Sequence, residues 1–539
     1  MGSAARAADG HSLAWSAFAA AAAPALAGFE ASLADPGAVQ RRLLRDILAR
    51  NANSEYGRHY GFGAIASYED YSRRVPICDW QTLLHWSERA RGTRAPVLSE
   101  ETPSFYERTS GSSANAKDVP YTASLLREFQ RALVVWLAKL HEQCPDVAGT
   151  SYWALSPVAA SAGRAPNGIA IGSASDADYL MGSAAQGLLP TVLDTSAALR
   201  HLATWRAATL RMLIEACSLR MFSVWSPTFL TALLEPLLSD GCRDATLTWL
   251  RGELSSLRFG ELERALGNGH FATLWPDLRV VSCWADGPSR PYARRLEALF
   301  PQARMLPKGL FATEGVVSLP WGMSGRCPLA IESHVLEFVD DAGEVRLADE
   351  LENGGRYRPL LTTSGGLFRY SLGDIVEVDG FEKKTPCVRF LGRADSRSDL
   401  TGEKLDETLA AEACKAAAAR GTATMLLPMP DANPPAYLLL LQAPADEERC
   451  AADVERALLE IFHYRQARTT GQLAPLRAAA VDNPAGVLQR AWETLGRRAG
   501  DAKPATLIAS LPLARAMLCE VGGADATTDA THLGKDAAP

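Results

Sequence analysis

The sequence predicts an α/β protein in two parts, a large N-terminal portion and a small C-terminal α/β portion. Three observations lead there. Helical apolar spacing alternates along the chain with short runs of branched and aromatic residues that read as strands. The 539 residues exceed what one core usually holds. After "FLGRADSRSDLTGEKLDE" (390–407) the composition shifts to alanine-rich helix and apolar strand. The resulting division is 1–395 for the large domain, 396–518 for the small one and 519–539 for a disordered tail, since "GGADATTDATHLGKDAAP" has almost no core-forming residues.

The elements follow in order. "LAWSAFAAAAAPALAGF" looks like the apolar part of a secretory signal, but only Arg6 precedes it, offset by Asp9. It runs straight into helical spacing, so it reads as an alanine-rich helix. Leucine, isoleucine and arginine alternate at helical spacing from Ala38 to Asn51, and "NANSEYGRHYGFG" ends the pattern with turn formers. "YTASLLREFQRALVVWLAKL" is a strong amphipathic helix with Thr122 or Ser124 as its cap. Further helices are expected at Ala197–Ala216, Pro227–Leu238 and Arg290–Phe300, and strands in "RVVSCWA", "HVLEFV", "GDIVEV" and "CVRFLG". The small domain should hold helices at Glu407–Arg420 and Ala452–Arg465, with strands in "AYLLLLQ" and "LAPLRAAAV".

Composition narrows the function. A net charge of −7 without a long basic run argues against nucleic acid or anionic lipid as partner. Ten cysteines without CxxC spacing, unclustered with the nine histidines, fit reduced thiols in a cytoplasmic protein rather than disulfides or zinc. No later apolar run is long enough to cross a bilayer. No obligate protein partner is evident, and small molecules are the expected ligands.

The chemistry begins at "TSGSSANAK". Glycine lets backbone N–H groups approach phosphate oxygens, hydroxyls add donors and a lysine adds charge; the same composition also makes a plain turn. It is not a P-loop, because GxxxxGK[ST] is absent; no strand precedes "GFGAIA", and no GxSxG elbow supports a serine hydrolase. "LPKGLFATEGVVSLP" sets Thr313 and Glu314 in a turn, and "GGLFRYSLGDIVEV" sets Asp374 after Gly373 at the head of a strand. A carboxylate there suits the two hydroxyls of a ribose, and a glutamate near phosphates suits Mg²⁺; each residue also reads as an ordinary turn former.

Taken in order, "TSGSSANAK", "FATEG", "YSLGD" and "FLGRADSRSDLTGEK" resemble the adenylate-forming superfamily of luciferase and acyl-coenzyme A synthetases. The chain is most similar to one branch, the Gretchen Hagen acyl-acid amido synthetases, over residues 38 to 510. "RDILARNANSEYGRHYGF", "RRVPICDW", "VVSCWADG", "LLTTSGGLFRYSLGDIVEV" and "YRQARTTGQLAPL" add to the likeness.

The resemblance implies a large adenylate-forming domain of mixed sheets and a β-barrel with flanking helices, and a small mobile domain. It implies ATP and Mg²⁺ as cofactors, with a carboxylic acid and an amine, expected to be an amino acid, as substrates. By position, Thr109, Ser110, Gly111, Ser112 and Ser113 would hold the β- and γ-phosphates with Lys117 nearby; Asn115 stands where the family usually has a second glycine. Thr313 would meet the α-phosphate, Glu314 the metal and Asp374 the ribose. Arg393 would open the hinge, Lys404 would approach the nucleotide phosphate, and Lys503 in "DAKPATL" sits where plant relatives carry a lysine. Phe129, Leu133, Trp136, Trp153 and Trp284 are candidates for the acid pocket, though such spacing also describes a core.

Under this reading, acid and ATP form an acyl-adenylate with loss of pyrophosphate, and an amine then expels AMP; the alternative acceptor is the thiol of coenzyme A or a carrier protein. The two half-reactions share one site, so the small domain should turn about 393–399 between them. Replacing Asp395 or Ser396 by proline should slow one half-reaction far more than the other. Single-turnover measurement of each checks this, and equal slowing would count against the hinge.

Overall fold

Local chemistry sets the helix starts. Asp35 accepts from Ala38 N and Pro36 opens the helix Pro36–Arg50, which buries Val39, Leu44, Ile47 and Leu48; proline fits there because the first helical N–H has no partner to lose. Thr122, one of the two expected caps, accepts from Leu125 N and starts the helix Ala123–Gln143. The computed structural model describes residues 2–108, 117–154, 163–172, 182–195, 205–394, 397–418, 422, 424–497 and 502–525. Two units result, Met1–Gly392 and Arg393–Pro539.

The first unit opens with the helix Gly2–Ser32. Its Trp15, Phe18, Ala22 and Phe29 are buried and it packs against Ala123–Gln143. Residues Gly10–Ser32 are, among the described residues, the one stretch of helix long and apolar enough to cross a membrane.

Strands β1 (Phe105–Arg108) and β2 (Asp118–Tyr121) form an antiparallel hairpin. A parallel sheet follows in the order β3 (Thr150–Trp153), β4 (Leu219–Ser223), β5 (Val280–Cys283), β6 (Arg304–Pro307). Its register lines up Trp153, Ser223, Ser282 and Leu306. The short strands β7 (Phe311–Ala312) and β8 (Gly315–Val316) make a second hairpin.

The larger sheet has six strands: β9 (Val335–Val339), β10 (Val345–Leu347), β11 (Arg356–Thr362), β12 (Tyr370–Ser371), β13 (Asp374–Glu382) and β14 (Thr385–Arg393). They run in the order β10-β9-β11-β13-β14, with β12 on β11. The strands expected in "RVVSCWA", "HVLEFV", "GDIVEV" and "CVRFLG" are β5, β9, β13 and β14. Helices stand at Pro227–Leu238 and Arg290–Leu299. The expected Ala197–Ala216 helix is seen as Trp205–Glu215, its first residues lying outside the described ones.

In the second unit β15 (Arg397–Ser398) pairs with β16 (Leu405–Asp406). Strand β17 (Thr424–Met429), absent from the sequence reading, runs antiparallel to β18 (Ala436–Gln442), and β19 (Arg477–Val481) runs parallel to β18.

The single helix expected at Ala452–Arg465 is two, Glu447–Leu458 and Phe462–Thr469. Their cause is tertiary: Tyr464 OH and Arg468 Nε both donate to Glu455 (2.8 and 2.6 Å), folding the second helix back on the first. Likewise Glu407–Arg420 divides into Glu407–Ala413 and Lys415–Ala418. The helix Leu511–Asp525 runs past residue 519, where the tail was expected to begin. Buried Leu513, Met517 and Val521 hold it.

One ion pair ties the first unit together. Arg369, in the left-handed region at φ 49°, donates through Nε to Glu337 Oε1 (3.0 Å) and through Nη1 to Ser72 O and Val75 O (2.8 and 2.9 Å). Tyr68 OH also donates to Glu337 (2.7 Å). Both ionic side chains are buried, at 6% and 1% exposure, so removing one charge strands the other. Glu337→Gln should destabilise the first unit by about 3 kcal/mol or more, measured as a fall in its unfolding transition.

Candidate active site

Two hairpins and one strand converge on an ammonium group. Hairpin β1-β2 is clamped at its base: Asp118, 2% exposed, accepts from Arg108 Nε at 2.8 Å and pairs with Arg91 at 3.0 Å. The stretch it carries, Thr109 to Ala116, lies outside the described residues, so the placement of Thr109, Ser110, Gly111, Ser112 and Ser113 stays an expectation. Lys117, just before β2, is described. Its Nζ donates to Tyr370 OH at 3.0 Å and stands 3.7 Å from Glu314 Oε1.

Thr313 and Glu314 form the tip of hairpin β7-β8, where Ala312 pairs with Gly315. Tyr121, on β2, donates to Thr313 O at 2.6 Å. Gly315 is required by close approach, because a Cβ there would meet His334 and Leu361 at 3.0 Å. Glu314 is 8% exposed and Asp374 is 5%. Asp374 follows Tyr370 by four residues and opens β13, after a turn that Gly373 makes at φ 76°.

Beside this cluster the sheet face presents a residue the sequence reading missed. Lys308, one position past β6, is 4% exposed. Its Nζ donates to Ser223 Oγ and lies 4.9, 5.0 and 5.9 Å from the ring centroids of Trp136, Trp225 and Trp153. No carboxylate pairs with it among the described residues. Burial pulls its ammonium down to about 7. The signal available in the sequence was a lysine directly after an apolar strand, indistinguishable by pattern from a solvated loop lysine. Of the pocket candidates, Phe129, which stacks on Tyr121 and meets His334 edge-on, Leu133 and Trp136 all belong to the core, and of these three Trp136 borders Lys308.

The second unit, taken by itself, holds the other lysines. Lys404 is exposed, with φ 49°. Its loop is fixed from beneath by Glu403, fully buried, which accepts from Leu400 N and Thr401 N at 2.7 and 2.8 Å and is hydrogen-bonded to the Tyr437 hydroxyl. Lys503 is exposed and precedes a segment pinned to Glu407, which accepts from Thr506 N (2.6 Å) and Leu507 N (2.9 Å). The two lysine-bearing segments therefore meet at one buried carboxylate, three residues after Lys404. Arg393 ends β14 as the first residue of this unit.

Among the described residues no group of three or more His, Cys, Asp or Glu could hold a metal. Mg²⁺ commonly takes one or two carboxylates and completes its shell with phosphate oxygens and water, and Glu314, 8% exposed at the tip of hairpin β7-β8, is a single carboxylate of that kind.

The fold is an adenylate-forming α/β architecture. A 2-hydroxyisobutyryl-CoA ligase in a postadenylation state superposes with a TM-score of 0.54 at 13% identity, covering 90% of this chain and 92% of that one. More similar is the AtGH3.15 acyl acid amido synthetase in complex with 2,4-DB, with a TM-score of 0.73 at 17% identity over 92% of this chain and 96% of the other. Residues 25–305 match the GH3 family N-terminal domain and 328–393 the GH3 family central domain; the chain belongs to the GH3 family. The indole-3-acetic acid-amido synthetase GH3.4 of Arabidopsis thaliana is 23% identical over 512 residues, 83% of this chain and 85% of that protein.

Glu407 provides a pH signature. Burial raises its carboxyl from 4.5 to about 7, against the two backbone N–H groups that pull it down. Between those values the folded state keeps a proton the unfolded state has released, so stability falls as pH rises through the window, by up to about 1.4 kcal/mol per pH unit. Calorimetry should show the second unit's transition dropping from pH 4.5 to 7 in the wild type and staying nearly level in Glu407→Gln.

Proposed function

We propose that the chain is an ATP-dependent acyl-acid amido synthetase, joining a carboxylic acid to an amine, and that the amine is an amino acid. The observation that carries the reading is Lys117 Nζ, which links all three nucleotide motifs: its own segment, Glu314 of the second and Tyr370 of the third. A triphosphate is the ligand such a convergence suits, because its oxygens can take over the ammonium that Glu314 and Tyr370 share.

In this reading Thr109, Ser110, Gly111, Ser112, Ser113 and Lys117 bind the β- and γ-phosphates, Thr313 approaches the α-phosphate, and Asp374 takes the ribose hydroxyls. Glu314 holds Mg²⁺, which when bound offsets charge on the phosphates. A free carboxylate resists attack because oxide is a poor leaving group; as a mixed anhydride with AMP it has a good one. The acid's oxygen attacks the α-phosphorus and pyrophosphate departs; the amine then attacks the acyl carbon, AMP leaves and the amine's proton is lost to solvent. Lys404 and Lys503 supply positive charge from the second unit, the former on a loop that Glu403 keeps from drifting, and Arg393 marks the pivot. No nucleophilic side chain of the chain is needed.

Acid-dependent exchange of pyrophosphate into ATP tests the first half-reaction. Glu314→Ala and Asp374→Ala should each lose on the order of 10²-fold. Full activity in both variants would mean the nucleotide binds elsewhere. Release of AMP stimulated by amino acids supports the amide product, whereas stimulation by thiols alone points to a thioester.

A further inference from the structure

The parallel sheet puts an unusual set of donors on one face. Register carries Trp153, Ser223, Ser282 and Leu306 across it, and the alternation of side chains places Trp225, Trp284 and Lys308 two residues further on the same face. Lys308, Ser223 and Ser282 are buried, while Trp153, Trp225 and Trp284 are half-exposed and form a rim. Ligands of open α/β sheets sit at this carboxyl end of the strands.

Three of the buried groups lack what burial normally demands. Lys308 has no counter-charge among the described residues, only Ser223 and tryptophan faces. Trp136 Nε1 and Ser282 Oγ are buried with no hydrogen-bond partner. An unpaired buried cation and orphaned donors cost stability, so the sequence retains an arrangement that folding alone disfavours. Lys308 and Trp136 offer only donors, and the serines can donate as well; the complement is an acceptor, best an anion. The surrounding indoles suit a flat apolar ring.

Phe311 gives the direction. Its ring lies 6.4 Å from Trp136 and 6.2 Å from Trp225, and it opens the hairpin whose tip is Thr313 and Glu314. The reacting carboxyl belongs at that tip, and the two indoles that border Phe311 also border Lys308, which Ser223 holds against β4. We propose that Lys308 is the specificity-determining residue of the acid pocket, and that the acid is aromatic and carries a second acceptor group, a carboxylate above all, at the end remote from the carboxyl that reacts. This rests on the adenylation reading above and adds the substrate class to it. The depressed ammonium of the free protein agrees, since an arriving anion would restore its charge.

The test uses the full chain and four acids: 3-phenylpropionate and its 4-methyl, 4-hydroxy and 4-carboxy derivatives. In pyrophosphate exchange the 4-carboxy acid should exceed the 4-methyl acid in kcat/KM by at least about 10-fold, with the 4-hydroxy acid between them. Lys308→Met, similar in length but neutral, should bring that ratio down to within about 3-fold of unity while circular dichroism stays unchanged. Quenching of tryptophan fluorescence by the 4-carboxy acid, lost in Lys308→Met, gives a readout independent of adenylation. Exchange with no preference, or a preference that survives in Lys308→Met, overturns the pocket assignment and leaves the adenylation reading intact. Lysine-dependent quenching without exchange for any acid upholds the pocket and overturns the adenylation reading, and the absence of both overturns the two together.

Discussion

The position of one ammonium group organises the first unit's candidate site. Lys117 Nζ lies within reach of a phenol and a carboxylate that are 253 and 197 residues away in sequence, and all three side chains are largely withdrawn from water. In such a place charge matters more than at the surface, because the surroundings screen it less. Displacing Lys117 would leave Glu314 as a carboxylate without its partner, so the hairpins β1-β2 and β7-β8 and the strand β12 must keep their mutual placement. Tyr121 adds a neutral tie between the same two hairpins through Thr313 O. The motifs are short and locally unremarkable; their value comes from being held around a common point.

The scaffolding behind that point is also electrostatic. Arg369 immediately precedes Tyr370, and its guanidinium is spent on Glu337 and on the backbone carbonyls of Ser72 and Val75. The pair links β9, the Tyr370 strand and the N-terminal helices at one buried spot, and it accounts for a non-glycine residue held at positive φ. The second unit repeats the idea with carboxylates: Glu403 gathers backbone N–H groups beneath Lys404, and Glu407 does the same for the segment after Lys503. In both cases a buried carboxylate orders a segment that lies beside an exposed lysine.

Lys308 belongs to a different category. Residues that organise the fold are paired, whereas this lysine is surrounded by indole rings and a serine. Cation–π contact recovers part of the lost hydration, and more so when the cation is desolvated, yet burial still draws its ammonium down to about 7. A site that keeps such a group sacrifices stability for recognition, which is where exceptions to good packing are expected.

By itself the sequence determined what short-range physics can decide. Helices such as Pro36–Arg50, Ala123–Gln143 and Pro227–Leu238 could be read from apolar spacing and caps, strands such as β9 and β18 from their branched and aromatic runs, and the family from the order of four motifs. Tertiary structure decided the remainder. The break between Glu447–Leu458 and Phe462–Thr469 depends on Glu455 meeting Tyr464 and Arg468, and the helix through Asp525 on apolar residues finding a core. Lys308 shows the limit most directly: its surroundings come from a helix near residue 136 and strand ends near 153 and 225, so no window of sequence contains them. Periodicity and capping act over a few residues and are written locally. Burial and the partner a charge receives arise only when distant segments meet.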